Sequence, residues 1–167
     1  MLMACAGGHV GVCQWLWDHG ATADDATRPG HDGCSPMHMA CDGGHIGVCQ
    51  WLWDHGVGAE HMTRSDNFFL ETPMLVACRK GHIDVCQWLW EHGATTNDVK
   101  TPDKSGCTPL FRACSGGHVD MSQWLLDHGA TVTPHSLGCY TARSFYQLAS
   151  KTSQRVFRFL RRGPRSH

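Results

Sequence analysis

The chain has 167 residues, 41% of them hydrophobic, which is enough for one folded domain with a sizeable core. Fourteen Lys and Arg residues against 15 Asp and Glu give a net charge of −1, which excludes a polycation built along its whole length for nucleic acid. No apolar run of about 18 residues occurs, so the sequence predicts no transmembrane helix.

The N-terminus lacks the features of a secretory signal. Its first eight residues contain no basic segment, and glycines interrupt the apolar stretch that follows Met1. Without an export signal, the ten cysteines are expected to be reduced thiols rather than a disulfide framework. We therefore expect an intracellular, reducing compartment, and the sequence does not distinguish cytoplasm, nucleus and organelle interior.

The sequence repeats itself with a period of 36 or 37 residues. Residues 3–20 and 39–56 are identical at 16 of 18 positions. The cysteines that mark the period are Cys5, Cys41, Cys78 and Cys114. A fixed period of this length predicts a tandem array, with units at about residues 1–30, 31–66, 67–102 and 103–142.

The first unit opens on an apolar segment rather than on the polar face that normally closes the end of a repeat array. Met1, Leu2 and Met3 begin the unit, and Trp15 and Trp17 follow. We expect this end either to continue a longer array or to be covered by a neighbour in a multi-subunit assembly.

The second unit carries the local signals of two short helices. Ser35 is a suitable N-cap, Pro36 fits the first turn, and Gly43 and Gly44 end the first helix. A second helix is predicted over about residues 46–55, and the glycine that follows it is a suitable left-handed C-cap.

The third unit differs from the others at the tip of the finger that leads into its first helix. Phe68 and Phe69 are adjacent there, and such rings are costly to leave in water and typical of anchors for a partner pocket. The alternative is that the finger folds one ring back onto its neighbour. The other units carry polar residues at these positions, namely His31, Asp32, Lys104 and Ser105.

The fourth unit contains the fullest version of a known motif. It reads Asp103-Lys104-Ser105-Gly106-Cys107-Thr108-Pro109-Leu110, then Ala113, Gly117-His118 and Gly129-Ala130. Together with the Thr/Ser-Pro and Gly-His elements of the other units, this pattern resembles the ankyrin repeat family over roughly residues 1–130. The units exceed the family's period of about 33 residues by three or four, and the surplus lies in the fingers.

The resemblance implies an all-α, helix-turn-helix solenoid with extended, β-turn or hairpin-like fingers between its units. It also implies a non-catalytic scaffold that binds protein partners through a concave surface of finger tips and first helices. The residues expected to contact a partner are His31, Asp32, Phe68, Phe69, Glu71, Arg79, Lys80, Lys104, Ser105, Phe111 and Arg112.

The last segment, residues 143–167, is predicted to be a degenerate, basic capping repeat with a flexible tail. It holds seven basic residues and no acidic ones, whereas residues 1–142 hold seven basic and 15 acidic residues. The cationic side of the cap is expected at Arg155, Arg158, Arg161 and Arg162. Either this side is a solvated surface, or it contacts nucleic acid or an anionic surface in an assembly.

The many Cys and His residues raise the alternative of a metal-binding repeat, but no C-x-x-C pair occurs to supply the usual ligand spacing. The repeated cysteines occupy positions where the family has small apolar residues, which indicates core packing. By the same resemblance, the histidine of each Gly-His pair is expected to hydrogen-bond locally at the start of the second helix. Nucleophile and phosphate-binding motifs are absent, so we predict no enzyme and no cofactor.

All seven tryptophans fall at repeat positions in the second helices. Bulky rings at the same place in successive units favour a ladder that packs neighbouring second helices together. The alternative is a docking stripe on the convex back of the array, since tryptophan is common at interaction hot spots.

Overall fold

The structure, a computed structural model, describes residues 1–131. Within that range the chain forms ten helices and no strand. Eight of these helices form four pairs: α1 (Leu2–Ala6) with α2 (Val10–Asp18), α4 (Pro36–Gly43) with α5 (Ile46–Asp54), α7 (Pro73–Lys80) with α8 (Ile83–Glu91), and α9 (Pro109–Ser115) with α10 (Val119–Asp127). The predicted basic cap over residues 143–167 lies outside the described residues.

Each complete first helix begins with the kind of cap that the sequence predicts for the second unit. The side-chain oxygens of Ser35, Thr72 and Thr108 accept hydrogen bonds from the main-chain N–H three residues later, and a proline follows each cap. Since the first N–H groups of a helix have no partner within the helix, a capping hydroxyl and a proline at the first position stabilise the same start.

The four units stack into a solenoid with two rows of helices. The first helices α1, α4, α7 and α9 pack side by side, and the second helices α2, α5 and α8 form a parallel second row. The core lies between the rows, where the largest buried side chains include Met37, Leu52, Met74, Leu89 and Leu125. Each unit therefore buries apolar surface mainly against its neighbours, as expected of a repeat array.

In the first three units, the extra residues form helical turns at the base of the fingers. Two of these turns are the short helices α3 (Ala23–Thr27) and α6 (Glu60–Thr63). Their inward residues Ala26 and Met62 are buried, as is Val99 in the corresponding turn of the third unit. The surplus thus lengthens the fingers as predicted and also adds a small core that the sequence analysis did not anticipate.

Candidate protein-binding surface

The finger tips precede the first helices and are closed by main-chain hydrogen bonds. Three bonds define them, and the nitrogen and oxygen of each are 3.0 Å apart: Gly30 N to Cys34 O, Asp66 N to Glu71 O, and Asp103 N to Cys107 O. The tips are hairpin-like, and the third contains one residue more than its siblings between the paired positions.

A buried carboxylate holds the third tip in shape. Asp66 Oδ1 accepts hydrogen bonds from the main-chain nitrogens of Phe68 and Phe69 at 2.7 and 2.6 Å, and Oδ2 accepts one from Glu71 at 3.1 Å. Asp66 itself is buried. Hydrogen bonds to an ionised acceptor are among the stronger ones, so this carboxylate fixes the backbone of the whole tip.

Leu70 occupies a backbone conformation that its side chain disfavours. Its φ is +53°, the only positive value of a non-glycine residue among residues 1–131. The siblings have Gly33 and Gly106 at the matching position, with φ of +82° and +77°. The left-handed conformation costs a residue with a Cβ about 1–2 kcal/mol, and such strain is often found at functional sites.

The third tip presents three apolar side chains to solvent. Phe68, Phe69 and Leu70 are 59%, 66% and 48% exposed, so neither ring folds back onto the neighbouring finger. We call these residues the apolar tip. The sequence analysis identified the two phenylalanines and missed Leu70, although a leucine at a position where both siblings carry glycine was the available signal.

Hydrogen bonds between fingers hold the apolar tip in a row with its neighbours. Asn67 N donates to the carbonyl oxygen of Asp32 at 3.0 Å, and Lys104 N donates to that of Phe69 at 2.7 Å. The third finger is thereby connected to the second and fourth fingers through the main chain. A tip held in this way loses little conformational entropy when a partner binds.

Charged residues beside the apolar tip are mostly paired. Arg79 lies between two carboxylates, with its Nε 3.1 Å from Glu71 Oε1 and one terminal nitrogen 3.2 Å from Asp42 Oδ1. Lys80 Nζ lies 3.6 Å from the same Asp42 oxygen. Arg112 donates from its Nε to Asp103 Oδ2 at 2.8 Å.

The predicted contact residues therefore lie at different depths. Glu71 and Phe111 are buried, so the structure does not bring them to the surface where a partner would meet them. Arg79 and Arg112 are half-buried and held by carboxylates. The exposed members of the predicted set are His31, Asp32, Phe68, Phe69, Lys80, Lys104 and Ser105.

The back of the array carries a ladder of tryptophan and histidine rings. The His55 ring stacks on Trp51, with ring centroids 4.1 Å apart. Trp17 of the preceding unit packs edge-on against the His55 ring, with centroids 4.8 Å apart. The Trp51 indole nitrogen donates to Gln14 Oε1 of the preceding unit at 2.8 Å. Because Trp51 and Trp88 are buried, packing between units is the interpretation that the structure supports for these rings.

The Gly-His histidines of the second, third and fourth units bond between units, which corrects the expectation of a local bond. His45 Nε2 donates to the carbonyl oxygen of Ala6, at the end of the preceding first helix, over 3.1 Å. A Cβ on Gly8 would lie 2.6 Å from this ring, so only glycine leaves room for it. The same bond occurs from His82 to Asp42 and from His118 to Arg79.

The repeated cysteines lie in pairs inside the units. Cys5 and Cys13, Cys41 and Cys49, and Cys78 and Cys86 bring their sulfurs to within 3.6–3.9 Å of each other, and all six are buried. Contact with Cys49 and burial raise the pKa of Cys41, and burial raises that of Cys86. Thiols held protonated in an apolar core are poor nucleophiles and behave as small hydrophobic groups.

Within residues 1–131, no three His, Cys, Asp or Glu side chains form a group that could hold a metal ion. Over the same residues, no helix is long and apolar enough to cross a membrane.

The chain has the architecture of a helical tandem-repeat protein, namely a solenoid of stacked helix pairs with a row of hydrogen-bonded fingers. The family model described as "Ankyrin repeats (3 copies)" matches residues 1–66 and 57–136, which is most of the chain. The chain therefore belongs to the ankyrin repeat family, whose repeats generally mediate protein-protein interaction. A search of curated proteins found no match.

Proposed function

We propose that this chain is a non-catalytic scaffold that binds a protein partner by inserting the apolar tip into a pocket of that partner. The observation that carries the proposal is the exposure of Phe68 and Phe69 on a backbone that Asp66 fixes from below. Aromatic side chains presented without a large entropy cost are typical hot spots of protein interfaces.

Charge supports a protein partner over an anionic surface at this site. Residues 1–131 carry 15 acidic and seven basic residues, and the basic groups beside the tip, Arg79 and Lys80, are paired with carboxylates. A net negative array is repelled by anionic lipid or nucleic acid and depends on apolar contact for its affinity. We infer that the scaffold acts within a larger assembly, where several fingers contact the partner together.

Replacing both Phe68 and Phe69 with alanine is expected to weaken partner binding strongly and leave the fold intact. Both rings are mostly exposed, so the free energy of unfolding should change by no more than about 0.5 kcal/mol. Loss of two hot-spot rings should raise the Kd at least about 30-fold. Proteins that the wild type captures from a cell extract are identified and purified. Each is then titrated against the wild type and against the double alanine variant.

His31→Ala with Lys104→Ala is the matched control, because these side chains occupy the same place on the sibling tips. This control should retain nearly wild-type affinity. Equal capture and equal Kd for the double phenylalanine variant and the wild type would show that the apolar tip is not the binding site.

Leu70→Gly is expected to weaken partner binding and at the same time preserve or raise stability. Glycine adopts the +53° φ of this position without strain, which recovers about 1–2 kcal/mol and offsets the extra chain entropy of glycine. Thermal unfolding and titration against the identified partner measure the two effects. Gly106→Ala, at the same position of the fourth finger, is the control and should lower stability. A stability loss in Leu70→Gly would mean that the leucine is a packing residue.

A further inference from the structure

Each of the first three units holds a pair of cysteines that connects its first helix to its second helix. In the second unit, Cys41 of α4 and Cys49 of α5 bring their sulfurs to 3.9 Å from each other. In the third unit, the sulfurs of Cys78 of α7 and Cys86 of α8 are 3.6 Å apart. The pair of the first unit repeats the arrangement at 3.8 Å. The same sulfur contact thus spans the Gly-His turn of three successive units.

Bonding between two such sulfurs requires movement of the side chains more than of the helices. A disulfide bond is about 2.05 Å long, so the two sulfurs of a pair must approach by roughly 2 Å. Both side chains share this approach, since each moves its sulfur by rotation about one Cα–Cβ bond. An oxidised pair therefore cross-links the two helices of a unit at a place where they already pack together.

Burial protects the pairs from reagents as long as a unit is closed. All six cysteines are buried, and burial raises the pKa of Cys86. Because the thiolate is the form that attacks a disulfide, a closed unit reacts slowly with a disulfide oxidant. Local opening of a unit exposes its thiols at a lower free-energy cost than unfolding of the whole array. Oxidation is thus coupled to the opening of single units.

The fourth unit has the same contact with one sulfur replaced by oxygen. Cys114 of α9 faces Ser122 of α10, and the sulfur and the hydroxyl oxygen are 3.4 Å apart. Ser122 is buried, and its hydroxyl donates to the carbonyl oxygen of His118 at 2.8 Å. Since a serine forms no disulfide, this unit serves as an internal comparison for the three cysteine pairs.

We propose that each of the first three units is a reversible modification site, at which a small disulfide oxidant such as oxidised glutathione converts the cysteine pair to a disulfide. In an opened unit, one cysteine loses its proton and attacks a sulfur of the oxidant, which releases one glutathione. The second cysteine then attacks the mixed disulfide and releases the second glutathione. Two electrons pass from the cysteine pair to the oxidant, and the two protons end on the released glutathione thiols. The inference is independent of the function proposed for the apolar tip, which the disulfides do not involve.

The experiment uses the full chain with Cys34, Cys107 and Cys139 replaced by serine, so that thiols outside the repeated positions do not react. The reduced protein is incubated with excess oxidised glutathione in native buffer, quenched with acid and analysed by intact mass spectrometry. Its mass should fall by two hydrogen atoms for each cysteine pair. The urea midpoint should rise by at least about 1 M, because each cross-link restricts the unfolded chain. Urea at concentrations below the midpoint should accelerate oxidation, since it favours open units.

Substitutions at the pairs provide the matched controls. Cys49→Ser copies the arrangement of the fourth unit and should lose one disulfide while the other two still form. Ser122→Cys makes the reverse change and should gain one disulfide, whereas Ser122→Ala should gain none. Circular dichroism of the reduced proteins checks that each variant is folded.

Three results would overturn the proposal. In the first, the mass does not fall, or glutathione stays attached to the paired cysteines. In the second, the mass loss is the same in Cys49→Ser as in the parent protein. In the third, oxidation lowers the urea midpoint, which would mean that the disulfides do not fit the fold.

Discussion

Replacing Trp88 with alanine is expected to lower the free energy of unfolding by about 3–5 kcal/mol. The ring is only 6% exposed, donates to Gln50 and lies between Trp53 of the preceding unit and its own His92. Removal therefore leaves a cavity and also breaks contacts that join two units. Urea unfolding followed by circular dichroism measures the change.

Trp15→Ala is the matched control, because Trp15 is the equivalent residue of the first unit and is mostly exposed. The Trp15 ring stacks on its own His19, and its removal should cost no more than about 1 kcal/mol. If both variants lost the same stability, the tryptophans would contribute within their own units and the ladder would not couple neighbouring units.

Asp66→Ala is expected to have the second large effect, because it removes the acceptor of three main-chain N–H groups. Leaving such donors without partners should lower the free energy of unfolding by about 2–3 kcal/mol. The backbone of the apolar tip should also lose its fixed shape, so amide hydrogen exchange at Phe68 and Phe69 should accelerate. Affinity for a partner should fall even though the three apolar side chains remain.

Asp66→Asn separates charge from geometry at this position. The carboxamide keeps one oxygen that can accept from Phe68 and Phe69, while its amino group faces the Glu71 N–H that the second oxygen bound. The loss of stability should be intermediate. Unchanged exchange rates in Asp66→Ala would show that the tip holds its shape without the carboxylate.

The local parts of the fold could be predicted from the sequence. The starts of the first helices follow from Ser35, Thr72 and Thr108 before proline, because a cap acts within one helical turn. The position of the second helices follows from the glycines that precede them and from the repeat itself. The all-helical solenoid needed only these local signals and a fixed period.

The contacts between units could not be predicted in the same way. The target of His45 is a carbonyl 39 positions earlier, and whether the ring reaches it depends on how the units stack. The burial of Glu71 likewise depends on its ion pair with Arg79, which no local rule specifies. Sequence comparison among the units located the unusual finger, but only the backbone shows that Leu70 is strained.

The bond from the Gly-His histidine of each later unit to the preceding first helix has a consequence for the length of the array. The donor in one unit and the glycine and carbonyl in the other recur at the same places, so each junction accepts the same kind of neighbour. Insertion or deletion of one 36-residue block between the first and second units recreates the junction it interrupts. The number of units can therefore change without any new interface, while the apolar tip stays on the third finger, which alone among the three described fingers contains an extra residue.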